Sequence, residues 1–205
     1  MVVTKTFKEP PICKREILRY AGCKEPSAEI ETLLEECLEE VREKLSYRVC
    51  YMELPLSVEE DVCDFGCMRV KSKGLAKCLG NNSKTILFAA TIGVEIDRLI
   101  AKYGRISPSK ALMFQAIGAE RIEALCDEFC QGRKRFSPGY GDLSLETQKD
   151  IVRLLDCAKQ IGVSLNDSML MSPSKSVTAF MGEEKSSVQN KCAVCEKTDC
   201  QYRGM

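Results

Sequence analysis

The pattern of apolar residues along this 205-residue chain predicts an α+β domain. Residues 28–45 and 110–130 repeat apolar positions at the helical period, while residues 47–54 and 176–181 cluster or alternate as strands do. Residues 85–91 (TILFAAT) form a continuous apolar run. Helices and strands interleave without a strict strand–helix–strand rhythm, so the sheet is expected to be mixed or antiparallel rather than parallel.

Residues 14–21 (KREILRYA) read as a first helix. In 28–45, Ile30, Leu33, Leu34, Cys37, Leu38 and Val41 form one apolar stripe; Ser27 supplies the cap and acidic residues fill the first turn. The glutamates opposite the stripe read as a solvated face. Residues 47–54 (YRVCYMEL), closed by Pro55, read as a strand, and a short strand is expected near 67–71. A brief helix over 74–79 ends at Gly80-Asn81-Asn82. The run 85–91 fits a strand buried on both faces, and Gly93 then leads into a helix over 94–103 that Gly104 ends. Ser107-Pro108-Ser109 opens the longest helix, whose Ala116, Gly118 and Ala119 permit close approach by another backbone. Residues 145–161 read as one amphipathic helix with Ile151, Leu154, Leu155 and Ala158 inward; 163–171 is mixed and 176–181 (SVTAFM) is a strand. The chain thus divides into a domain over 1–182, with a helical part at about 1–46, and a polar cysteine-rich tail over 183–205.

Thirty basic and thirty acidic residues cancel, which leaves no electrostatic footprint for nucleic acid or an anionic membrane. The longest apolar run, 85–94, is half of the roughly 20 residues that a membrane span needs. The N-terminus (MVVTKTFKEPPIC) lacks an apolar signal core, which points to the cytoplasm. Thirteen cysteines among long amphipathic helices point to a reducing habitat rather than a disulfide scaffold. The chain has no histidine, which removes Ser-His-Asp and Cys-His catalysis, His-ligated metals and the usual neutral-pH proton shuttle.

Cys192, Cys195 and Cys200 form a C-x2-C-x4-C array on the tail. Three such thiolates can converge on zinc or an iron–sulfur cluster; a tail with idle thiols is the plain alternative. Cys63/Cys67 and Cys126/Cys130 are C-x3-C pairs. Helical spacing puts Cys126 and Cys130 on one face as small core residues, whereas the loop-like setting of Cys63 and Cys67 leaves a redox role open. Glu120, Glu123 and Asp127 lie three and four apart, as neighbours on a helix do, either solvated or turned toward a cationic ligand group. Their helix leads to Arg135-Phe136-Ser137-Pro138-Gly139-Tyr140-Gly141-Asp142-Leu143. Pro138 pushes Ser137 toward extended backbone, and Gly139 accepts positive φ. The stretch therefore holds an irregular shape. Its arginine fork and phenol can grip a small polar ligand, or it can simply connect two helices.

Four segments, in the right order, resemble the activation domain of cobalamin-dependent methionine synthase: FAATIGVEIDRLI (88–100), GAERIEALCDEF (118–129), RFSPGYGDLSLETQ (135–148) and LNDSMLMSPSKSVTAFMG (165–182). The pairing of Arg-x-x-x-Gly-Tyr with a later Ser-Pro-x-x-Ser-Val is more specific than either motif alone. The resemblance implies a C-shaped domain that binds S-adenosylmethionine in a shallow groove for the reductive remethylation of cob(II)alamin. Carried over by motif position, it implies that Arg135 pairs with the donor's carboxylate and that Ser137 offers backbone hydrogen bonds. The Pro138-Gly139 turn then admits the ligand, and Tyr140 lies beside the donor or the cobalamin, where a phenol ring also favours a sulfonium. Glu120 or Glu123 is the acidic partner. Cobalamin itself is expected on a partner, since this chain offers cobalt no histidine.

The family's domain continues past the Ser-Val strand with more sheet and helix, whereas here a cysteine tail follows. From this departure, part of the donor pocket is expected to be missing or supplied by a partner, and the tail suggests that electrons arrive through a local cluster rather than a docked flavodoxin. The reading that follows is a stand-alone reactivation subunit, a methyltransferase component acting with a cobalamin-dependent methionine synthase that lacks its own activation domain, together with an electron donor. The alternatives are an iron–sulfur or thiol redox protein that reduces a corrinoid on a partner methyltransferase, and a non-catalytic corrinoid-protein chaperone.

Overall fold

The computed structural model describes residues 1–80 and 82–185, with side chains described through Gly182. A five-stranded sheet in the order β1-β2-β6-β10-β7 divides the molecule. Its strands are β1 (Val3–Thr6), β2 (Arg48–Pro55), β6 (Lys84–Thr91), β10 (Ser176–Lys185) and β7 (Arg133–Phe136), and every neighbouring pair is antiparallel. Three short strands, β3 (Ser57–Glu59), β4 (Val62–Asp64) and β5 (Arg69–Lys71), make a separate antiparallel sheet; β8 (Ser164–Leu165) pairs with β9 (Met171–Ser172). The α+β reading with antiparallel sheets stands.

Successive side chains of a strand point to opposite faces, so a strand covered on both sides is apolar at consecutive positions, as residues 86–90 are. β6 is that strand. Its Phe88 and Ala90 enter one core and its Leu87 and Ala89 the other, all four fully buried. The first core lies under α1 (Lys14–Tyr20), α2 (Ala28–Val41), α4 (Glu95–Tyr103) and α5 (Pro108–Cys130). The second lies under α3 (Lys73–Leu79), α6 (Thr147–Leu154), α7 (Cys157–Ile161) and the β3–β5 sheet. There Phe180 stacks on Phe65 with ring centroids 4.8 Å apart; cutting such a buried ring to alanine costs about 3–5 kcal/mol.

Three expectations change in the structure. The stretch 145–161 is two helices, because Asp156 at φ 47 breaks it, a conformation that aspartate tolerates better than most side chains. The break turns Cys157 and Ile161 inward and leaves Ala158 exposed. The small residues of α5 admit side chains rather than a backbone: a Cβ at Gly118 would come within 3.0 Å of Ile96 and Lys175. Finally, Arg135 and Phe136 are not loop residues. They end β7, whose partner is β10.

Candidate functional site

Gln131 and Gly132, at φ 50 and φ 81, end α5 and fold the chain back as β7. Arg135 is thereby carried alongside the last turns of the helix it follows. Its Nη2 lies 2.5 Å from Glu123 Oε2 and 3.4 Å from Asp127 Oδ1. The arginine side chain is 9% exposed, while those of Glu123 and Asp127 are 44% and 72% exposed, so the cation is tucked in and its acids are open to water. Burial opposes the charge, yet Cys126, Glu123, Cys130 and Asp127 outweigh it and push the guanidinium up. Burial lifts the Cys126 thiol to about 12, so at neutral pH it is protonated and the carboxylates do the holding. Tyr20 of α1 closes this side. Burial and the Glu123 charge raise its phenol, and the Arg19 guanidinium carbon sits 4.4 Å from its ring centroid.

Glu120 is engaged elsewhere. It is buried and bonded to Arg121, with Nε at 2.5 Å and Nη2 at 2.6 Å, and it accepts the Cys13 N–H at 3.0 Å. Arg121, fully buried, also donates to the carbonyls of Pro10 and Pro11 at 2.6 and 2.7 Å. This clasp fixes the segment between β1 and α1. Of the two glutamates named from the sequence, Glu123 is the one the structure brings to Arg135.

Alternation along β7 sends Arg135 and Phe136 to opposite faces. Arg135 pairs with Met181 of the first core and Phe136 with Phe180 of the second. Phe136 meets Tyr140 edge-on at 5.6 Å, and Tyr140 is 66% exposed. The following turn is closed by Tyr140 N–H to Ser137 O at 3.1 Å, Leu143 N–H to Tyr140 O at 3.1 Å and Gly139 N–H to Leu143 O at 2.9 Å. Gly139 sits at φ 81, where a side chain would be strained, and Pro138 is buried. The Ser137 carbonyl is therefore used within the turn.

Asp142 moors this turn to α3. It accepts from Ser72 Oγ at 2.6 Å, Lys73 N–H at 2.7 Å and Gly74 N–H at 3.1 Å. A Cβ at Gly74 would stand 2.7 Å from Phe136 Cζ, so the close seat of α3 against the ring requires glycine. Ser72, Gly74 and Tyr20 carried no motif in the sequence; they belong to the site through packing alone. A cation between two open acids suits a zwitterion, whose carboxylate goes to the arginine and whose ammonium goes to the acids. A ligand that also touches Tyr140 has to straddle the sheet edge. Two open depressions, about 370 Å³ over α2 and about 640 Å³ beside α3, are lined by none of these side chains except Lys73, whose backbone meets Asp142.

Among the described residues no group of three or more cysteines and carboxylates is placed to hold a metal, and no helix is long and apolar enough to cross a membrane. Cys192, Cys195 and Cys200 lie outside the described residues. Cys126 and Cys130 are both buried, as core residues should be; Cys63 is buried in β4 and Cys67 is exposed.

Comparison with known proteins agrees with the motifs. No curated protein matches the sequence. A solved structure described as the MetH reactivation domain bound to AdoHcy superposes with a TM-score of 0.68 at 14% identity, covering 92% of this chain and 80% of that one. At that identity the likeness is one of fold. The family model for the vitamin B12-dependent methionine synthase activation domain matches residues 120–203, a span that holds the Arg135 turn and runs on into the cysteine segment. Residues 120–203 thus match the family model of the vitamin B12-dependent methionine synthase activation domain, and the chain as a whole is similar in fold to the reactivation domain.

Proposed function

We propose that this chain binds S-adenosylmethionine at the Arg135 edge of the sheet and serves as a reactivation subunit for a separate cobalamin-dependent methionine synthase. The observation that carries the reading is the arginine held between two solvent-open acids, within the span matched by the activation-domain family. Arg135 takes the donor's carboxylate; its guanidinium has five N–H donors, and both recorded acid contacts run from Nη2. Glu123 and Asp127 take the ammonium. Tyr140 offers an exposed ring to the sulfonium from the other side of the edge. The relative of like fold was solved with AdoHcy bound, which supports a ligand of this class.

Cobalamin belongs to the partner in this reading, and its reduced cobalt supplies the nucleophile. What this chain contributes is alignment of the methyl donor, since transfer to a strong nucleophile needs orientation more than acid–base chemistry. The test is reconstitution. An inactive cob(II)alamin methionine synthase lacking its activation region is mixed with a reductant, S-adenosylmethionine and this chain, and methylcobalamin is followed by its visible spectrum. Methylcobalamin formed only in the presence of both the chain and the donor supports the reading. Donor binding in calorimetry without methylcobalamin would keep the ligand and remove the reactivation role; no binding removes both.

A further inference from the structure

We propose that Cys50 and Cys157 form a two-electron modification site, a pair of thiols that a peroxide converts to a disulfide stapling α7 to β2. The reading is independent of the methyl-donor site. The two residues stand 107 apart in sequence, yet their Sγ atoms are 3.9 Å apart, and both side chains are fully buried in the second core. That is thiol hydrogen-bonding distance, about twice the S–S bond length of roughly 2.05 Å.

One side of the pair is fixed and the other can yield. Cys50 sits in β2 between Thr4 of β1 and Ala89 of β6. Cys157 opens a five-residue helix bounded by two left-handed joints, Asp156 at φ 47 and Gly162 at φ 74. Beyond the thiols, α7 is tied to this edge by an exposed hydrogen bond, Thr4 Oγ1 to Gln160 Oε1 at 2.7 Å. Two pivots let this short helix shift by the ångström or two that closing the bond needs, and lifting it, with Ile161, off the second core is what admits the oxidant.

The two sulfurs are also unequal. The Cys157 contact holds the Cys50 thiol below its usual value, and the same contact, with burial, raises Cys157. At Cys37 and Cys126 burial instead pushes the thiols up, to about 11 and about 12. Either sulfur can donate in the contact, so the steps run from Cys50 or equally from Cys157. From Cys50, the thiolate attacks a peroxide oxygen, the O–O bond breaks, a sulfenic acid forms and water leaves. The Cys157 sulfur then attacks the Cys50 sulfur, the S–S bond forms, the S–O bond breaks and a second water leaves. Two thiols and one hydrogen peroxide give one disulfide and two waters.

The full chain is reduced, desalted without oxygen and treated with equimolar hydrogen peroxide. Remaining thiols are alkylated in denaturant, and peptides are mapped by mass spectrometry with and without dithiothreitol. The expected product is one cross-linked pair containing Cys50 and Cys157, lighter than the free peptides by two hydrogens and released by dithiothreitol. Amide exchange over residues 156–162 should slow on oxidation and recover on reduction. Recovery of both cysteines alkylated, with oxidation at exposed Cys13 and Cys67, overturns the proposal, as does linkage of either to another cysteine. In Cys157→Ser the slowing should vanish; if it persists, the pair is not its cause and the proposal falls. Should that variant not fold, the wild-type map decides.

Discussion

Arg121 and Arg135 each pair with a glutamate of α5, Glu120 and Glu123, and their surroundings differ. Arg121 is sealed: its side chain is 1% exposed, its glutamate 5%, and its fork is filled by that carboxylate and two backbone carbonyls. Arg135 stands at a sheet edge with acids open to water. A sealed pair can hold chain segments together but has no donor to offer a ligand. The Arg135 pair is half open: the arginine is tucked in at 9% exposure, and its acids keep their charges available to water. Two glutamates three apart on one helix thus take different arginines, one in a sealed clasp and one at the sheet edge where ligand binding is proposed.

That contrast can be broken at either end. The largest effect is expected for Arg121→Met, which strands Glu120 without its cation; unfolding in denaturant should show a loss of about 3–5 kcal/mol. A loss under 1 kcal/mol would mean that the clasp does not hold the segment between β1 and α1. Arg135→Ala should cost less stability than Arg121→Met, because its acids remain solvated, and weaken S-adenosylmethionine binding by about 2 kcal/mol, near 30-fold, measured by calorimetry. Unchanged affinity would remove Arg135 from the site. Glu123→Gln keeps the shape and loses the charge, so a smaller weakening, about 1 kcal/mol, is expected, visible with the amino-acid donor and absent with a donor analogue that lacks the ammonium.

The smallest effect concerns the mooring of the turn. The Ser72 hydroxyl, then the Gly74 and Lys73 amides, hold the Asp142 carboxyl below its ordinary range. Because the folded-state value is the lower one, its contribution is complete above the ordinary carboxylate value of about 4 and fades as pH falls through the folded value. The amide shifts of Lys73 and Gly74 should titrate together with a midpoint under that ordinary value. A midpoint at or above it would show that the turn is not moored through Asp142.

The sequence made some of this legible for physical reasons. TILFAAT announced a strand covered on both faces because five successive apolar residues, 86–90, leave neither face polar, and Gly139 announced its own positive φ. β1 was silent: all four of its residues are exposed, so it carries no alternation and exists by pairing with β2. The strand character of Arg135 was hidden likewise, because Arg-Lys-Arg-Phe becomes a strand only when β10 lies beside it. Glu120 and Glu123 could not be told apart because spacing of three on a helix gives neighbours, not addresses; the Pro10–Cys13 segment, more than a hundred residues away, decides between them. Asp142 stood within the motif, but its partners on α3 did not.

The strand order β1-β2-β6-β10-β7 has a consequence for the chain as it is made. Among the described residues β7 hydrogen-bonds in the sheet to β10, which follows it in synthesis. Until the ribosome has released residues 176–185, Arg135 has a helix to lean on but no strand to lie against. The recognition edge is therefore assembled late, by long-range contacts whose closure is slow. A nascent or truncated chain that ends before β10 would carry every motif residue of the turn and still lack the site.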